Sequence, residues 1–200
     1  FEIGGLPEKA AAYHLEAGHQ AAYLASPQDA VAHYRRGLAL LVDQAHTPER
    51  DRLEIHLCLA LGAPFLSASG WGGPERQEAI QQALELLQSL GPLDTHSPVA
   101  EWEQLLLVLY EQADWLLSQG KLEQAIQLAE QILALAGETA LTSQALAYRI
   151  LGMSYLFQGR FAKAREQLED ALRIYHSIAQ SPALPWIGVD LETGCQVLLG

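Results

Sequence analysis

Apolar residues recur along most of the chain at the three- and four-residue spacing of a helix face, and strand-like alternation is scarce. The pattern predicts helices over 7–25, 27–44, 48–68, 74–90, 98–119, 121–136, 140–158, 160–178 and roughly 186–199. Proline stands at the predicted first helical position in Ser26-Pro27, Thr47-Pro48 and Ser97-Pro98, each preceded by a hydroxyl suited to capping. Gly91 and Gly137 sit where helices should stop. The expected class is all-α.

Four of the segments share a spelling: "QDAVAHYRRGLALL" (28–41), "QEAIQQALELLQSL" (77–90), "EQAIQLAEQILALA" (123–136) and "AKAREQLEDALRIY" (162–175). Their third residues are Ala30, Ala79, Ala125 and Ala164, at intervals of 49, 46 and 39 residues. Four and seven residues on come Tyr34 and Gly37, Ala83 and Leu86, Ala129 and Ile132, Leu168 and Ala171. That is one helical stripe, with small residues where two backbones must come close.

The helices in front of these segments correspond as well. "YRILGMSYLFQGRFAKA" supplies Tyr148, Leu151, Gly152, Tyr155, Gly159, Phe161 and Ala164. Upstream, "LYEQADWLLSQGKLEQA" keeps Gly120, Leu122 and Ala125, with Ala113 in place of the first glycine. "LGAPFLSASGWGGPERQEA" keeps Leu61-Gly62 and Phe65, and "LEAGHQAAYLASPQDA" keeps Gly18 and Ala30. The pattern resembles the tetratricopeptide repeat, with units near 7–44, 48–90, 98–136, 140–178 and a truncated unit at 184–200. The resemblance implies a right-handed α-α superhelix of antiparallel helix pairs, about nine helices in all, forming one repeat domain. These repeats exceed the roughly 34 residues of the standard motif. That length, together with "TPERDRLEIHLCLALGAPFLSASGW" and "GVDLETGCQVLLG", resembles the region following the ATPase module in large bacterial signalling proteins. The types resembled are predictive-ATPase, adenylate-cyclase-linked and maltose-regulator-like. A chain that begins at Phe1 and ends inside a helical pattern fits a piece of such a polypeptide.

Composition narrows the chemistry. Half of the residues are hydrophobic, yet no apolar run approaches the roughly 20 residues of a membrane span, so a soluble chain is expected. The formal net charge is −12, spread evenly over the two halves without a basic patch, which argues against a nucleic-acid surface. Cys58 and Cys195 form no CxxC pair and fit buried free thiols in a reducing cytoplasm.

Nothing points to catalysis, a cofactor or a metal. There is no G-x-x-x-x-G-K-[ST] and no GxSxG. His14 and His19 are five apart, whereas a zinc-protease helix needs four, and His56 and Cys58 point to different sides of a helix. Glu101/Glu103 and Glu169/Asp170 read as solvated faces, since residues one or two apart do not face each other. Trp102, Trp115 and Trp186 fit packing between helices. "SGWGGPER" (69–76) lacks the lysine and hydroxyl of a phosphate loop and reads as an enlarged turn, leaving Trp71 as a secondary contact residue.

The repeat resemblance also implies a concave face lined by the first helix of each pair. Carried onto this chain, the inward positions are His19, Tyr23, His56, Tyr110, Asp114, Arg149 and Met153. They either contact a ligand or pack on the neighbouring helix. A non-catalytic scaffold for a protein or peptide partner follows, the partner being a separate protein or another domain of the parent chain. The alternative is a superhelix that senses a small effector and controls an attached ATPase or transcription-regulator module.

Overall fold

The computed structural model describes residues 6–62, 74–90, 99–137, 140–178, 195, 196 and 198. Among them are eight helices: α1 (Pro7–Tyr23), α2 (Pro27–Leu41), α3 (Pro48–Ala60), α4 (Pro74–Ser89), α5 (Val99–Ser118), α6 (Leu122–Ala136), α7 (Leu141–Phe157) and α8 (Phe161–Ile178). No strand occurs among the described residues. The loop holding Trp71, the Ser97-Pro98 start, Gly91, Trp186 and most of the helix expected over 186–199 lie outside them.

The helices divide between two compact units, α1–α4 and α5–α8. In the first unit α1 packs on α2 and α3 on α4, and α3 also touches both α1 and α2. The second repeats the arrangement: α5 packs on α6 and α7 on α8, while α7 touches both α5 and α6. Each unit is therefore two stacked antiparallel hairpins in the tetratricopeptide manner.

The alanine-led stripe explains the pairing. All twelve of its residues, from Ala30 to Ala171, are buried. Close approach is visible at Gly152, where an added Cβ would lie 2.6 Å from Leu168 Cγ. At the matching position in α1, a Cβ on Gly18 would lie 2.2 Å from the Tyr34 ring. Leu168 and Tyr34 occupy the same place in the stripe, so glycine on the first helix makes room for a large residue on the second.

Three hairpin turns are built alike. Ser26, Lys121 and Arg160 each donate a backbone N–H to a carbonyl five residues earlier, at 2.9, 3.0 and 2.8 Å. The residue before each is left-handed: Ala25 at φ 57°, Gly120 at 71° and Gly159 at 74°. This is a Schellman ending, for which glycine is suited and alanine is strained. Gly137 ends α6 at φ 54°, as expected. Thr47 caps α3, its Oγ1 accepting from the Arg50 amide at 3.2 Å. Ser26 does not cap α2. Its hydroxyl instead donates to Asp29 Oδ2 at 2.6 Å. Helix α2 also ends at Leu41, short of the expected residue 44, in a turn where the Gln44 amide bonds the Leu41 carbonyl at 3.1 Å.

Candidate functional site

In the second unit, Tyr110 and Asp114 lie one turn apart on α5, and Arg149 and Met153 one turn apart on α7. Packing of α7 on α5 brings all four together. Arg149 donates Nη2 to Asp114 Oδ1 at 2.6 Å and to the Tyr110 hydroxyl, and Nη1 to Met153 Sδ at 3.1 Å. Arg149, Asp114 and Tyr110 are 3%, 2% and 1% exposed, while Met153 is half-buried. Burial raises the Tyr110 pKa, with Arg149 opposing it, so the phenol stays neutral. Burial disfavours the charge on Arg149, but the Asp114 carboxylate and the hydrogen bonds to Asp114 and Tyr110 more than offset it, so its pKa is raised. A buried charge needs such compensation, since loss of one partner leaves the other desolvated and alone. These residues thus join two hairpins from inside the packing. In the same unit Cys195 is a buried free thiol, its pKa raised by burial with Arg149 opposing.

The first unit places its share of the predicted face differently. His19 on α1 is half-buried and meets the Tyr34 ring edge-on at 5.8 Å between centroids. Burial lowers its pKa, with Glu16 opposing. His56 on α3 is exposed, yet desolvation by the surrounding protein and then the nearby His19 lower its pKa as well. Tyr23, at the end of α1, is 76% exposed. His19, Tyr23 and His56 are therefore open or part-open to solvent, where Tyr110, Asp114 and Arg149 are closed.

One charged cluster escaped the sequence reading. Arg50, at the start of α3 and 3% exposed, donates Nη1 to Asp51 Oδ1 at 2.8 Å and to Glu54, and Nη2 to the Leu41 carbonyl at 2.8 Å. His46 Nδ1 bonds Asp51 Oδ1 at 2.8 Å, and Gln82 of α4 donates to Glu54. They wall a cleft of about 860 Å³ that Glu85, Leu86 and Ser89 also line. An available signal was the Arg50/Glu54 spacing of four residues behind the Thr47 cap. It resembles any exposed helix pair until α2 and α4 are seen to close over it.

The remaining expectations fall into place around these groups. Cys58 is a buried free thiol whose pKa is pushed up to about 12 by burial and by Glu54, which makes it a poor nucleophile. Trp102 and Trp115 are half-buried, and the Lys121 ammonium lies 5.2 Å from the Trp115 ring centre. Glu103 and Glu169 are exposed. Among the described residues no group of three or more His, Cys, Asp or Glu stands at metal-holding geometry, and no helix is long and apolar enough to cross a membrane.

A family model described as tetratricopeptide repeat matches residues 104–177, from within α5 to the end of α8. That match supports a tetratricopeptide-repeat family. It covers the two hairpins joined by Arg149, so the buried cluster lies inside the matched repeats. No curated protein matches the chain. Tetratricopeptide repeats generally mediate protein–protein contacts and are typically non-catalytic.

Proposed function

We propose that the chain is a non-catalytic scaffold that binds a protein, either a peptide or another domain of the same polypeptide. The observation that carries this is the repeat-family match to four helices packed as two stacked hairpins. Rigid helices hold side chains at fixed spacing, which suits recognition of a helix or an extended segment. Tyr23 and His56, with His19 beside them, are the first contacts, and Met153 is the accessible member of the second set. Within the second unit, Tyr110, Asp114 and Arg149 keep α5 and α7 in register around Met153. Trp71 is a secondary contact. The setting is a cytoplasmic bacterial signalling protein, in which this region follows an ATPase module; the resemblance of "TPERDRLEIHLC" and its neighbouring phrases supports that context. A photo-crosslinking residue placed at Tyr23 or His56 should capture one defined partner in cells, and one at exposed Glu130 should not. Equal capture at all three positions, or capture at none, would contradict the reading.

The open cleft beside Arg50 favours a second reading, in which a small polar effector binds the first unit. Its size falls within the roughly 300–1,000 Å³ of small-molecule sites. A thermal-shift screen of sugars and metabolites should then find a ligand that stabilises the chain but not its Glu85→Ala variant. No stabilisation at saturating concentrations would remove this alternative.

A further inference from the structure

On its own helix His14 stands five residues from His19, a spacing wrong for a shared metal. The fold gives it a different neighbour. His33 on α2 brings its Nδ1 to 3.1 Å from the Nδ1 of His14, with ring centroids 5.3 Å apart and planes tilted by 39°. Both rings are half-buried between α1 and α2. As a hydrogen bond, the contact has one imidazole donating an Nδ1–H and the other accepting it.

We propose that His14 and His33 form a two-histidine site for a divalent transition metal that bridges α1 and α2. Metal–imidazole bonds are about 2.0–2.1 Å long, so two of them at ~90–109° put their nitrogens about 2.9–3.4 Å apart. The observed 3.1 Å lies in that window. Imidazole nitrogen suits Cu²⁺, Ni²⁺ and Zn²⁺, and Cu²⁺ binds such a donor set tightest. The acidic chain, with a net charge of −12, attracts cations at long range. No group of three potential ligands occurs among the described residues, so water fills the other positions. Such a site is open to exchange rather than closed and structural. On binding, the metal replaces the proton shared by the two rings and ties the first hairpin together by side chains 19 residues apart.

The test is a calorimetric titration of the full chain with Cu²⁺ alone, followed by electron paramagnetic resonance of the loaded protein. The expected result is one tight site with two imidazole nitrogens bound. His14→Ala and His33→Ala should each weaken that site by at least about tenfold, and the double variant little further, since one lost ligand already ends bidentate binding. His176→Ala, at an exposed position, should change nothing. Circular dichroism shows whether the variants fold. If one does not, thermal shift on the intact chain decides: Cu²⁺ should raise the melting temperature. Coordination by a single nitrogen, affinity unchanged within twofold in both folded variants, or no thermal shift would overturn the proposal.

Discussion

Arg50 and Arg149 are both only 3% exposed, yet they do different work in the two units. Arg149 reaches across from α7 to Asp114 and Tyr110, 35 and 39 residues away, and its partners are as closed to water as it is. Arg50 makes both carboxylate bonds on its own helix, and among the described residues it reaches another helix at the Leu41 carbonyl. Its surroundings open onto a cleft. A buried arginine therefore says little by itself. What decides between a fastening and a site is the sequence distance of its partners and the water within their reach.

The largest effect expected from this contrast is at Arg149. Arg149→Met leaves the Asp114 carboxylate buried without its cation and should cost about 3–5 kcal/mol in urea unfolding. Arg50→Met should cost less, about 1–2 kcal/mol, because Asp51 and Glu54 can be rehydrated from the cleft. Equal losses in the same experiment would erase the distinction between the two clusters.

A finer comparison concerns the hairpin turns. Ala25 holds the left-handed position that Gly120 and Gly159 hold in the second unit. Ala25→Gly should stabilise the chain by about 1 kcal/mol and Gly159→Ala should destabilise it by a similar amount, both read as shifts of the urea midpoint. A loss on Ala25→Gly would mean that the turns are not equivalent.

These turns also show how far the residue pattern carries. Pro27, Pro48 and Pro74 each open a helix where expected, and the stripe from Ala30 to Ala171 is buried throughout. Both signals are local or periodic, so the chain displays them directly. Equivalence of Ala25 with the two glycines is hidden because alanine is an ordinary helix residue, and only the backbone reveals the strain. Ser26 has the same weakness: a hydroxyl before a proline-led helix predicts a cap, but Asp29 competes for it. The repeat resemblance names the expected inward positions, but their exposure could not be read from the sequence. Whether Tyr110 meets solvent or Arg149 depends on how α7 lies on α5. Pairs such as His14 with His33, or Gln82 with Glu54, join different helices and leave no mark at any fixed spacing.

The smallest expected effect separates the units by pH. The His19 pKa is lowered by burial, so the folded state resists its protonation. Its contribution to stability is complete above about pH 6.5 and is lost as the pH falls below that value toward the lowered pKa. His19→Gln should flatten the acid side of the stability curve below about pH 6.5, with the slope above that value unchanged. An unchanged acid slope would show that His19 titrates as it does in the unfolded chain.

The contrast between the two arginines rests on Arg149 coupling to Asp114 across the repeats, and a double-mutant cycle measures that coupling. Arg149→Met, Asp114→Leu and the double variant should be unfolded in urea beside the parent chain. The account predicts a coupling of more than about 2 kcal/mol, with the double variant more stable than either single one. A coupling below about 0.5 kcal/mol, the scale of an exposed pair, would contradict it.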